Sequence, residues 1–149
     1  MSQSVVITQP ETTLARYNIA LLGEETSEQL SLRVQNVKPG EGTPLHIHTD
    51  QAETFHVISG TFRFRAGNDE LTGGPGFTVH IPKNTPHSFI FEDKANNGQL
   101  ISVLTPGIHD GFIRNIPEAE ANGTSMEELS QMAETFGAKI IGPKLTPKS

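Results

Sequence analysis

The sequence contains no cysteine. Disulfides and thiolate metal sites are therefore excluded, and any bound metal must sit on nitrogen and oxygen ligands. Nor is there a run of about 18 apolar residues, the length a helix needs to cross a bilayer, so no membrane association is expected. Positive charge is scarce: 11 Lys and Arg stand against 17 Asp and Glu, for a net charge of −6. The basic residues are scattered, whereas binding a polyanion takes clustered cations that displace counterions. Nucleic acid is thus not an expected partner. Met1 to Glu11 holds no Lys or Arg and no apolar core segment, which argues against a secretory signal and makes the cytoplasm the expected location. The 149 residues suit a single domain spanning 1–149, and two full domains would be a tight fit.

Short runs of Val, Ile, Thr and Phe alternate with turn residues, among 14 Gly and 10 Pro. This rhythm reads as many short strands. Candidates are Tyr17–Leu22, Leu30–Val37, Thr54–Ser59, Thr61–Ala66, Phe77–Ile81, His87–Phe91 and Leu100–Thr105. In Thr61-Phe62-Arg63-Phe64-Arg65 the phenylalanines share one face and the arginines the other. Ser59-Gly60 reads as a tight turn and Asn68 to Gly76 as a loop. The tail differs: Ser125 and Glu128 fit a capping box, Leu129, Met132, Ala133 and Phe136 form one apolar helical stripe, and Gly137 is a natural stop. The expected architecture is all-β, with seven to nine strands in an antiparallel barrel or jelly roll over about 17–105 and a short C-terminal helix within 106–149.

Chemistry concentrates in two stretches. In Gly40-Glu41-Gly42-Thr43-Pro44-Leu45-His46-Ile47-His48, the two histidines lie two apart, so on an extended strand both imidazoles project to one side. Thr49 to Ala52 can turn the chain, and Glu53 then opens the next strand and can return a carboxylate to the same point. In the second stretch, His87 starts a strand after the Pro-bounded turn Pro82-Lys83-Asn84-Thr85-Pro86. If that strand pairs beside the first, its imidazole joins the site. Such a ligand set suits Fe, Mn, Ni, Co, Zn or Cu.

These stretches resemble the two motifs of the cupin superfamily. Gly40, His46, His48, Glu53 and Gly60 match the first motif without a gap, and Gly76, Pro82 and His87 match the second. Asn84 stands where Gly is usual, a mild departure because Asn tolerates positive φ. Phe91 stands where Asn is usual. The resemblance implies a double-stranded β-helix with one divalent metal on His46, His48, Glu53 and His87. It looks most like the small bacterial group named for quercetin 2,3-dioxygenase, whose tail loosely matches Gly142-Pro143-Lys144-Leu145. It implies a dioxygenase acting on a small aromatic or enol-bearing substrate, with Glu53 as ligand and catalytic base. A redox-neutral isomerase or lyase and a non-catalytic binding module are the alternatives. Homodimers are also implied, with Val5-Val6-Ile7 and the tail helix as the places for contact.

The other histidines are secondary. His56 alternates out of phase with Glu53 and should face away from the metal. His80 would enter the interior only if Val79 and Ile81 pack outward. His109 reads as a surface residue near the barrel mouth. Phe55, Phe62, Phe64, Phe89 and Phe91 are the candidate lining. Arg63 and Arg65 should face outward, leaving Arg33 as the basic side chain that could reach the interior.

Overall fold

The computed structural model describes residues 13–14, 17–21, 23–26, 28–107 and 137–148, with isolated positions between 123 and 134. Among these residues there are eleven strands: β1 (Thr13–Leu14), β2 (Tyr17–Leu21), β3 (Ser31–Val37), β4 (Pro44–His48), β5 (Ala52–Ser59), β6 (Phe62–Ala66), β7 (Asp69–Gly73), β8 (Thr78–Ile81), β9 (His87–Phe91), β10 (Gly98–Thr105) and β11 (Ala138–Lys144). They form two sheets, one ordered β1-β2-β3-β10-β5-β8 and the other β11-β4-β9-β6-β7. All pairings are antiparallel. From β3 to β10 the chain passes repeatedly between the sheets, the path of a jelly roll or double-stranded β-helix.

All seven sequence-predicted strands are present, with ends shifted by at most two residues. Two segments differ from expectation. Asn68 to Gly76 is not simply a loop, because Asp69–Gly73 pairs along the whole of β6. Residues 69–72 are all exposed on an edge strand, so neither face carried the alternation that marks a half-buried strand. Gly142-Pro143-Lys144, expected only as part of the tail beyond the helix, lies within β11, paired to β4. Pro143 is accommodated there because β11 is also an edge strand, with a register shift between Ile140 and Lys144. The capping box is formed: Ser125 N donates to Glu128 Oε2 at 3.1 Å and Glu128 N to Ser125 Oγ at 3.2 Å. The apolar stripe of the expected helix, His109 and Val5-Val6-Ile7 lie outside the described residues.

The core lies between the sheets. Phe62, Phe64, Phe89 and Phe91 project inward from β6 and β9 and meet Phe55, Val57, Leu100 and Val37 from the other sheet. Fully burying each such side chain is worth about 1.5–3 kcal/mol. Phe91 occupies space that glycines leave open. A Cβ on Gly60 would lie 2.3 Å from its ring, and one on Gly98 2.4 Å. Gly60 also has φ 86°, as the turn between β5 and β6 requires. Asn84 takes φ 63°, which is how it replaces the usual glycine.

The C-terminal segment is held by a buried arginine. Arg63 Nε donates to Glu92 Oε1, Nη1 to Glu70 Oε1 at 3.3 Å, and Nη2 to the Thr146 carbonyl at 2.6 Å. It shares the outward face with Arg65, as expected, yet it is only 6% exposed. Arg63→Ala should therefore cost about 2 kcal/mol in urea unfolding, because it strands a largely buried carboxylate. It should also speed amide hydrogen exchange in β11. A loss below about 0.5 kcal/mol, the range of surface ion pairs, would show that the clamp carries no stability.

Candidate metal centre

The first sheet supplies a carboxylate and the second supplies three imidazoles. His46 and His48 project from one face of β4, and His46 pairs directly with His87 on β9. Glu53 begins the inward row of β5. The backbone tightens this approach, since Asn84 N donates to the His48 carbonyl at 2.7 Å. One potential ligand atom from each of His46, His48, Glu53 and His87 lies within 4.8 Å of the others. The ring centroids of His46 and His87 are 4.2 Å apart, and those of His46 and His48 5.0 Å. Glu53 and His87 are buried, while His46 and His48 remain half-buried.

Hydrogen bonds settle the tautomers of two rings. A carbonyl can only accept, so His46 Nδ1 must donate to the Pro44 carbonyl at 2.8 Å, and His87 Nδ1 to the Thr85 carbonyl at 2.9 Å. In the neutral rings both Nε2 atoms then carry lone pairs. Glu53 Oε1 lies 3.2 Å from His87 Nε2 and 3.2 Å from His48 Nε2. Ser102 Oγ donates to Glu53 Oε2 at 2.8 Å. Lone pairs that converge this closely call for a proton or a cation among them. Two ligand atoms about 2.1 Å from one ion and at right angles are about 3.0 Å apart, close to the spacing found. The donor set therefore fits a divalent transition metal.

Electrostatics favours the ligating states. Burial, together with the neighbouring His87 and His48, pushes His46 down from 6.5 to about 3, so its ring stays neutral. Burial alone would raise the Glu53 pKa. A proton or cation held between the carboxylate and the His48 and His87 rings outweighs it and keeps the carboxyl well below its usual value of 4.5.

Beneath the cluster lies an aromatic floor. Phe55 is 6.2 Å from His87, 5.5 Å from Phe64 and 5.8 Å from Phe89, centroid to centroid. All five phenylalanines expected to line the barrel are buried.

Residues 33–104 match the family model of the cupin domain. Nearly half of the chain thus matches a cupin domain, and the chain has the cupin fold. A curated relative, quercetin 2,3-dioxygenase of Bacillus subtilis, is 24% identical over 106 residues, which are 66% of this chain and 31% of that protein. The chain thus spans about a third of that relative's length. Among solved structures, TT1209 from Thermus thermophilus is 26% identical with a TM-score of 0.51, covering 62% of this chain and 90% of the other. A cupin described as a sugar phosphate isomerase from Silicibacter pomeroyi is 20% identical with a TM-score of 0.52, covering 68% of this chain and 67% of the other. The last shares the fold alone.

The structure brings together all four sequence-predicted ligands and leaves the other described histidines outside. His56 faces out, as expected, and its Nδ1 is 2.7 Å from Thr78 Oγ1. His80 does not enter the interior: Ile81 joins the core, Val79 packs against it, and exposed His80 pairs with Thr54 Oγ1 at 2.8 Å. Sequence reasoning missed Ser102. Its signal was present, a polar residue at the inward position between Leu100 and Leu104.

The depressed values of His46 and Glu53 set a pH dependence with one sign. The unfolded chain takes up both protons before the folded one does, so stability is lost as pH falls, for His46 from 6.5 toward about 3. One such group contributes at most about 1.4 kcal/mol per pH unit. Metal-free protein should unfold at lower urea at about pH 5 than at about pH 7, and His46→Gln should flatten that difference. An equal slope in the variant would remove His46 as its source.

Proposed function

We propose that this cupin is a metal-dependent dioxygenase acting on a small aromatic or enol-bearing substrate. One divalent ion (Fe, Mn, Ni, Zn, Co or Cu) would be held by His46, His48, Glu53 and His87. The observation that carries this reading is Glu53 Oε1, placed 3.2 Å from two imidazole nitrogens, one of which has its other nitrogen committed to a backbone carbonyl. The ion would supply Lewis acidity and, with four protein ligands, about two open octahedral positions.

The chain's own groups perform the remaining tasks. Carbonyls of Pro44 and Thr85 fix the rings of His46 and His87, so the ligand lone pairs are oriented before anything binds. Ser102 holds Glu53 Oε2 and leaves Oε1 turned toward the imidazoles. When Glu53 is released from its ligand role, Oε1 is the base within reach of a substrate hydroxyl proton. Phe55, Phe64 and Phe89 exclude water beneath the cluster and make its floor apolar. The likeness to quercetin 2,3-dioxygenase supports the aromatic choice.

Elemental analysis of protein purified without chelator or nickel resin should find near-stoichiometric metal, lost in His48→Ala. Glu53→Gln should keep part of the metal and lower oxygen uptake with a polyphenol about 100-fold or more, the scale of general base catalysis. Unchanged uptake would eliminate Glu53 as the base. Turnover with zinc in the absence of oxygen would replace the dioxygenase with a redox-neutral isomerase or lyase. Ser102→Ala should weaken metal affinity about 10- to 100-fold in competition with a chelator. Unaltered affinity would confine Ser102 to packing.

A further inference from the structure

The two inner walls beside the cluster differ in chemistry. The β6–β9 wall presents Phe62, Phe64, Phe89 and Phe91, all buried. On the opposite wall, β3 follows a strict alternation in which Ser31, Arg33, Gln35 and Val37 are buried and the residues between them are not. Val37 belongs to the core, so Arg33 and Gln35 share the inner face with it. Arg33 is 7% exposed and Gln35 2%. The register places Arg33 directly across from Ser102, and Ser102 in turn across from Phe55. Ser102 is the residue whose hydroxyl grips Glu53 Oε2. Arg33 thus lies one strand from the group that holds the carboxylate ligand, on the wall facing the β6 and β9 phenylalanines.

A buried guanidinium is costly unless it is matched by negative charge or hydrogen-bond acceptors. Arg33 already engages other groups of the chain, so an arriving anion would join or exchange with them. Charge counting sharpens the point. A divalent ion with one carboxylate ligand and three neutral imidazoles carries +1, and Arg33 raises the local charge to +2. A planar guanidinium also presents paired donors that match a carboxylate. A neutral polyphenol uses none of this.

We propose that Arg33, with Gln35 beside it, is a specificity residue that binds a carboxylate, so that the substrate is an organic acid whose ionisable hydroxyl or enol reaches the metal ligands. This rests on the metal-centre reading above and narrows its substrate class. A ligand that engages both would direct its acid group toward β3 and its hydroxyl toward Glu53.

Calorimetric titration with salicylate and its neutral analogue salicylamide tests this, on metal-loaded and metal-free protein of measured metal content. Metal-loaded wild type should bind salicylate roughly tenfold or more tighter than salicylamide, the scale of a charge-assisted hydrogen bond. Arg33→Gln should erase that preference while leaving salicylamide affinity and metal content unchanged. Arg33→Met repeats the comparison with the aliphatic stem retained, and Arg33→Lys should keep part of the preference. Thermal unfolding confirms that each variant is folded. Equal affinity for the two compounds in wild type, binding of neither, or an undiminished preference in folded Arg33→Gln or Arg33→Met would overturn the proposal. Failure of the metal reading has a different signature: no metal in wild type, with any carboxylate preference still abolished in the Arg33 variants.

Discussion

The structure turns on one buried carboxylate. Glu53 is nearly inaccessible to solvent, and its Oε1 is shared between two imidazoles while its Oε2 takes a serine hydroxyl. A carboxylate taken out of water costs several kcal/mol unless its partners are in place. Those partners come from both sheets: Ser102 from the carboxylate's own, the histidines from the other. The charge is tolerable only when β4, β5, β9 and β10 are all correctly placed. The same requirement that fixes the relation between the sheets also collects the ligand atoms.

Around that point the interior divides by polarity. One wall is almost wholly aromatic, and it packs closely because Gly60 and Gly98 leave room for the Phe91 ring. Phe91 replaces the asparagine usual in the motif, so the end of the barrel remote from the ligands is sealed with apolar volume rather than a polar group. The other wall carries Ser31, Arg33, Gln35, Ser102 and Glu53 among Val37, Phe55, Val57, Leu100 and Leu104.

The C-terminal segment completes the support. β11 pairs with β4 opposite both ligands, Ala138 with His48 and Ile140 with His46. The Gly137 carbonyl accepts from Thr49 N at 2.9 Å, where the chain leaves the ligand strand. Beyond β11, Arg63 fastens the Thr146 carbonyl to the second sheet. A strand carrying two ligands would otherwise stand at a sheet edge, where backbone pairing is weakest and fraying easiest. With β11 alongside, β4 is an interior strand.

The sequence by itself determined most of the His/Glu cluster. Residues two apart on a strand share a side, so His46 and His48 converge wherever that strand lies, and the short link to Glu53 leaves the carboxylate little freedom to go elsewhere. The inward phenylalanines and outward arginines of β6 were equally legible, since period-two alternation follows from backbone geometry. What the sequence left open depended on distant neighbours. His87 required β9 to pair with β4. His80 turned on whether Val79 and Ile81 faced the core, which they do. β7 and β11 were hidden because edge strands need only one partner, and their exposed faces carry no hydrophobic pattern. Ser102 and Arg33 gained their significance through register: β10 sets the serine opposite the arginine on one side and opposite Phe55 on the other. Local periodicity fixes which face a side chain takes, but only the pairing of strands far apart in the chain decides what stands across from it.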